Sequence, residues 1–224
     1  MESDEPLINV TAEQLWNSAK EAYAIGKQLG KKVILMSTST GGSLSLKLAA
    51  EFPEIYGLLL FSPNIAINDS KAWMLNNHWG LQIANLVKGK YIHARDTTSI
   101  YKQYWYPQYR MEAVVQLEEL LERTMKESTF KKVTQPALVL YYYKDEKNQD
   151  AVVKVSAIKR MFNQLGTPEN LKRIKPVPNA GDHVIGSYIK SKDLQSVEDE
   201  CGKFAREILQ LKEFSNSPDD QRNQ

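Results

Sequence analysis

The 224-residue chain holds one cysteine, Cys201. A single thiol closes no internal disulfide, so the fold must stand on packing, and nothing points to an oxidising compartment. Long apolar runs are missing too: none reaches the roughly 18 residues of a membrane span. A strong excess of one charge is also absent. The net charge is +2, with acids and bases mixed along the chain, too small an excess to argue for an anionic membrane, and no nucleic acid is expected as partner. The start, Met1 to Glu5, is acidic and lacks the basic and apolar regions of a signal peptide. A cytoplasmic setting is therefore expected, unless a signal or anchor lies upstream. No internal repeat is visible. The stretch 214–224, polar from Asn216 onward apart from Pro218, is expected to be a disordered tail.

What is present has a readable order. Thr11-Ala12-Glu13-Gln14 has the form of a capping box. Leu15, Ala19, Ala22 and Leu29 follow on one helical face, and Gly30 suits the stop. Val33 to Met36 is a short apolar run, as expected of a strand buried on both faces. A second helix fits Leu44, Leu48, Ala49 and Phe52, with Pro53 beyond it. Tyr56 to Phe61 is the next buried strand, closed by Ser62-Pro63. Two later strands are predicted at Ala137–Tyr143 and Leu171–Val177. The second carries Lys172, Arg173 and Lys175 in alternation and suits a sheet edge. A helix from about Asp150 to Leu165 lies between them, and a last helix carries Val197, Cys201, Phe204, Ala205 and Ile208. Strands alternating with helices imply an α/β architecture with a mainly parallel sheet of about four strands.

One region breaks the alternation. Residues 68–132 hold no convincing strand, only helical pattern, clearest through Val114, Leu117, Leu121 and Met125. They also hold Trp73, Trp79, Trp105, Tyr101, Tyr104, Tyr106 and Tyr109. The expected organisation is a core of 1–67 and 133–213 with a helical cap insert at 68–132. Most of its aromatics are expected to pack onto the body, and a few to line an apolar pocket.

The chemistry sits at Met36-Ser37-Thr38-Ser39-Thr40-Gly41-Gly42. The segment leaves a strand and enters a helix within two or three residues. So sharp a turn strains its central residue and needs small neighbours, here Ser37 and Gly41. It would lift the Ser39 hydroxyl clear at the carboxyl end of the sheet, where open α/β sheets place their sites. The helix N-terminus would offer partial positive charge to a developing oxyanion. The loop alone admits two other readings. One is a phosphate cradle, though no lysine follows the glycines as a P-loop requires. The other is a tight turn with no chemistry.

The segment resembles the nucleophile elbow of the α/β-hydrolases, G-x-S-x-G, with Ser37 in place of the first glycine. The resemblance runs from about Thr11 to Leu211 and is closest to the carboxylesterase and monoacylglycerol-lipase-like branch with a helical cap. It implies a serine nucleophile, a histidine base and an acid that holds the imidazole, in the order Ser, Asp or Glu, His. Of the three histidines, His78 and His93 fall in the insert. His183, in Asn179-Ala180-Gly181-Asp182-His183-Val184, follows the last strand, where the family carries its base. For the acid, Asp150-Ala151-Val152-Val153 matches the family's pattern of Asp, one variable residue and two aliphatics. Asp145, in the charged run Lys144-Asp145-Glu146-Lys147, is the alternative. A helix-capping role is the plain reading of either.

The resemblance further implies Thr40 as one backbone oxyanion donor, an ester or acylglycerol-like substrate, and no metal or organic cofactor. It also exposes a gap. The family has further strands ahead of the nucleophile strand, and a loop there supplies a second oxyanion donor. Here only about 30 residues precede Val33, and they read as a helix. The chain is therefore expected to be a fragment lacking its N-terminal half-sheet, with a raw apolar edge at Val33–Met36 that invites self-association. Two classes follow: a serine esterase or lipase using Ser39, Asp150 and His183, or a truncated, non-catalytic relative that binds through its insert or its free edge.

Overall fold

The computed structural model describes residues 5–94, 96 and 98–212; the expected tail at 214–224 lies outside them. Helix α1 spans Ala12–Leu29. Its capping box is formed: Gln14 N donates to Thr11 Oγ1, and Thr11 N donates to Gln14 Oε1, each at 3.1 Å. Strand β1 (Ile34–Thr38) turns straight into α2 (Thr40–Glu51), and β2 is Gly57–Phe61. An insert follows: a 3-10 turn (Ala72–Met74), α3 (Gly80–Lys88), β3 (Tyr91–His93), α4 (Ser99–Tyr104), β4 (Gln108–Arg110), α5 (Met111–Thr124) and α6 (Glu127–Phe130). The chain then returns to the sheet with β5 (Ala137–Tyr141), α7 (Val155–Gln164), β6 (Lys172–Pro176) and α8 (Leu194–Glu207).

Four strands make one parallel sheet in the order β1-β2-β5-β6. Strand period decides which side each residue serves. On β2 and β5, Leu58, Leu60, Ala137, Val139 and Tyr141 face one core with Leu46, Phe130, Ile158 and Met161. Leu59, Phe61, Leu138 and Leu140 face the other, where Phe204 on α8 and Leu209 just after it cover them. The two central strands are buried throughout, as near-continuous apolar runs in parallel sheets should be.

Three expectations change. The insert is not purely helical, because β3 and β4 pair antiparallel, Ile92 opposite Tyr109. Three-residue strands leave too short an alternation to show in sequence. The buried stripe of α1 is Ala12, Trp16, Ala19 and Tyr23, not the one through Ala22 and Leu29, and Leu29 is 84% exposed. The aromatic stripe wins because it has partners: Tyr23 meets Phe52 at 5.0 Å between ring centroids, and Lys47 Nζ lies 4.1 Å from the Trp16 ring centroid. Finally, the aromatics of the insert do not all pack inward, since Trp73, Trp79, Tyr104 and Tyr106 are exposed.

Among the described residues β1 pairs with β2 only, and Met36 is exposed to solvent. Residues 5–10 form no strand beside it. They pack on the insert instead, where Arg110 N donates to Pro6 O and the Arg110 guanidinium donates to Glu5 at 2.8 Å.

Candidate active site

Ser39 is the hinge between β1 and α2, with φ 55° and ψ −122°. That region is costly for a residue with a side chain, on the order of 1–3 kcal/mol, and persists only where the surroundings impose it. Here they do. Ser39 N donates to Phe61 O at 3.0 Å, and its carbonyl accepts from Gly42 N at 2.9 Å and Asn64 N at 3.0 Å. A Cβ on Gly42 would lie 2.6 Å from Pro63 Cβ, so only glycine lets α2 start this close to the loop. Ser45 Oγ donates to Ser37 Oγ at 3.0 Å, and Ser43 Oγ donates to Asn64 O. The loop Ser62-Pro63-Asn64 thus brackets the elbow. Sequence reading took Ser62-Pro63 only as the end of a strand, because its contacts to Ser39 are non-local. Ser62 has positive φ itself and is fully buried.

Thr40 is the first residue of α2, so its N–H has no carbonyl four residues back to bond. It stands at the positive end of the helix, beside the Ser39 side chain.

Asp150 follows β5, and His183 follows β6. His183 Nδ1 lies 2.7 Å from Asp150 Oδ2. The Asp150 side chain is fully buried and that of His183 is 10% exposed. The other carboxylate oxygen of Asp150 accepts from Val152 N at 2.9 Å and Val153 N at 3.1 Å. Both oxygens are therefore engaged, and the carboxylate is held in one orientation. Asp150 is not a helix cap: α7 starts five residues later, with Lys154 at its N-cap. His183 Nε2 is buried and makes no hydrogen bond. Gly181, at φ 68°, makes the turn that presents the ring.

Asp145 lies elsewhere. The chain from Tyr142 to Asp150 loops out and returns, with Asp150 N donating to Tyr142 O at 3.1 Å. Asp145 sits on the exposed part of that loop, where Oδ1 accepts from Asn148 N at 2.8 Å and Lys147 N at 2.9 Å. Hydrogen bonds from the Asn148 side chain and backbone hold its carboxyl below the usual range. His78 stacks edge-on with Trp79, and His93 lies exposed on β3. Among the described residues no cluster of His, Cys, Asp and Glu could hold a metal ion.

The insert is stitched to this site at two points. Asn68 Nδ2 donates to Asp150 O at 3.3 Å, and Ile67 bridges Val153. Lys190 Nζ joins Asp96 of the insert at 3.2 Å to Asp182, the neighbour of His183, at 3.4 Å. Burial opposes the Lys190 charge, but the two carboxylates outweigh it and raise its pKa. Within the insert lies an apolar cavity of about 220 Å³, bounded by Ile67, Ala72, Leu75, Ile83, Met111 and Val114. Ser39 and His183 are not among the residues that line it.

No family model matches the sequence, and no curated protein matches it. Solved structures do. One of the metagenome-derived lipolytic enzymes LipS and LipT superposes with a TM-score of 0.70 at 18% identity, over 89% of this chain and 76% of that one. A monoacylglycerol lipase of Paleococcus ferrophilus gives 0.63 at 16%, over 90% and 76%. A soluble variant of the monoglyceride lipase of Saccharomyces cerevisiae gives 0.58 at 14%, over 90% and 70%. At such identities the likeness concerns the path of the chain. With these neighbours and this sheet, the chain has the α/β-hydrolase fold.

Proposed function

We propose that this chain is a serine hydrolase that cleaves carboxylic esters, acylglycerol-like ones included, through an acyl-enzyme on Ser39. The observation that carries the reading is the buried Asp150–His183 pair at 2.7 Å, whose outer nitrogen, Nε2, has no partner. A neutral imidazole bonded through Nδ1–H to a carboxylate has its basic nitrogen on the far side, which suits it to take a proton. Ser39 Oγ attacks the ester carbonyl carbon and His183 Nε2 takes its proton. Charge gathers on the carbonyl oxygen, opposite the Thr40 N–H. Collapse breaks the bond to the alcohol, which leaves with the proton from His183. Water then attacks the acyl carbon, again through His183, and frees Ser39. Asp150 keeps the imidazole in one tautomer throughout. Ser39 and His183 are not hydrogen-bonded to each other, and such contacts commonly tighten only with substrate. The insert acts as a cap that shapes substrate choice, and the lipolytic enzymes and monoglyceride lipases among the structural neighbours favour an acylglycerol-like substrate.

A second reading, a non-catalytic relative, has one observation in its favour. Among the described residues the β1 edge beside Ser39 is unpaired, and a neighbouring element there would be the natural source of a second oxyanion donor. Lack of one such donor typically costs about 10²–10³ in rate. Labelling with a fluorophosphonate separates the two readings. Covalent modification lost in Ser39→Ala and in His183→Ala supports the enzyme. No labelling at any pH between 6 and 9, with circular dichroism showing a folded chain, supports the binding module.

A further inference from the structure

The stretch that carries His183 has no regular element of its own. Residues 177–193, all of them described, form neither helix nor strand. Two buried residues, Ala180 and Ile185, root it in the core on either side of the imidazole. Between them lie only Gly181, with its φ of 68°, Asp182, His183 and Val184. A glycine leaves such a stretch more than one backbone conformation. An imidazole that must take a proton from one direction needs it to have a single one.

The hold comes from Asp182 and Lys190. Asp182 Oδ1 accepts from Val184 N at 2.9 Å, so this carboxylate reaches across His183 from one neighbour to the other. Its Oδ2 lies 3.4 Å from Lys190 Nζ. The same ammonium meets Asp96 Oδ2 of the insert at 3.2 Å. Asp96 is fixed in turn, because its Oδ1 accepts from Thr98 N at 3.0 Å and from Thr98 Oγ1 at 2.8 Å. Thr98 is the N-cap of α4. Tyr101 and Tyr104 stand three residues apart on that helix, hence on one side of it. Lys190 Nζ lies 5.5 Å from the Tyr101 ring centroid, and a hydrogen bond with Tyr104 raises the pKa of Tyr188. The start of α4 is thus seated on the histidine loop. Exposed ion pairs contribute little, but the three side chains of this one are at most 29% exposed. Each carboxylate gives one oxygen to its own turn and the other to the shared ammonium.

We propose that Lys190 is a positioning residue for His183, acting through Asp182, and that Asp96 brings the insert into the same task. The inference rests on the reading of His183 as the base of a serine hydrolase. It gives the insert a role besides covering the substrate: the imidazole is held in full only while the start of α4 sits on its loop.

The test takes two readings on the full chain. One is the rate of fluorophosphonate labelling of Ser39. The other is the tautomer of His183 in a Ser39→Ala background at pH 8, from long-range proton–nitrogen NMR spectra, with His183→Ala assigning the signals. Lys190→Gln should slow labelling about tenfold and Asp96→Asn about fivefold, as a small misplacement of a reacting group does. Both should move part of the His183 population from a proton on Nδ1 to one on Nε2. The double variant should be no slower than Lys190→Gln, because both substitutions break the same chain of contacts. Lys27→Gln, which removes the exposed pair with Glu54, should change neither reading. Circular dichroism checks the fold, and Asp96→Asn decides the matter alone if Lys190→Gln does not fold, since it alters no residue of the histidine loop. An Asp96→Asn chain with unchanged rate and unchanged tautomer would overturn the inference, and so would additive losses in the double variant. A wild-type chain that takes no label defeats the hydrolase reading instead, and the tautomer then still decides what Lys190 and Asp96 do.

Discussion

Strain at single residues is concentrated around Ser39. Ser39 and Ser62 both hold positive φ, and each donates its backbone N–H to a neighbouring strand. Gly42 makes the approach of helix and loop feasible, so Gly42→Ala should push Pro63 away and disturb the elbow. Overpacking of this kind costs about 1–3 kcal/mol; a lower Tm together with slower fluorophosphonate labelling is the expected result. The two aspartates make a sharper comparison. Asp150 is buried on His183, whereas Asp145 is exposed and serves its own turn. Asp150→Asn should therefore slow Ser39 labelling severely, on the order of 10⁴ if the acid acts as in a serine protease. Asp145→Asn should change it little. The reverse ranking in labelling rates would transfer the role to Asp145.

Among the elements, α5 carries the clearest anomaly. Glu118 is buried there, with Oε2 unpartnered. Burial, and then the like charge of Glu122, raise its pKa above the ordinary value for glutamate. An acid whose pKa is raised on folding contributes its full stability below its unfolded pKa. That stability is lost as pH rises through the folded value. Near neutral pH, then, Glu118 works against the fold. Glu118→Gln should raise Tm by a few degrees at pH 8 and leave it nearly unchanged at pH 4, read by thermal melts across that range. A gain that is the same at both pH values would show that packing, not ionisation, sets the effect.

At the scale of the molecule, the two sheet edges are treated differently. β6 is guarded by charge: Arg173 pairs with Glu207 and Lys175 with Glu200, each at 2.8 Å. β1 has no such guard, and Met36, at 63% exposed, lies on it. An open apolar edge is a template for pairing with another chain. Met36→Lys should therefore lower concentration-dependent self-association without lowering Tm, measured by light scattering and a thermal melt. Unchanged scattering would place the adhesive surface elsewhere. The insert, by contrast, is tied by ion pairs to segments outside it at two places midway along its course. Arg110 gathers Glu5 and Glu112 at one side, and Lys190 gathers Asp96 and Asp182 at the other. The second tie sits beside His183, through its neighbour Asp182.

Sequence alone determined the order and type of the main elements, because those signals are local. The capping box at Thr11, the apolar runs at Leu58–Phe61 and Ala137–Tyr141, and the charged alternation at Lys172–Lys175 each act within a few residues of themselves. It also singled out Ser39, since small residues around a strand-to-helix turn leave a mark in the chain, and the resemblance to the α/β-hydrolases added Asp150 and His183 as candidates. What depends on partners brought from afar was decided by tertiary structure. Local pattern set Asp150 ahead of Asp145 as the acid, but it is the return of the loop to Tyr142 that buries one and exposes the other. The buried stripe of α1 was chosen by Phe52 and Lys47 on the neighbouring helix, and the β3–β4 ribbon by pairing across an intervening helix. The exposure of Trp73 and Trp79 was decided the same way. An aromatic side chain is buried only where other elements come to cover it, and at α3 none of the described elements does.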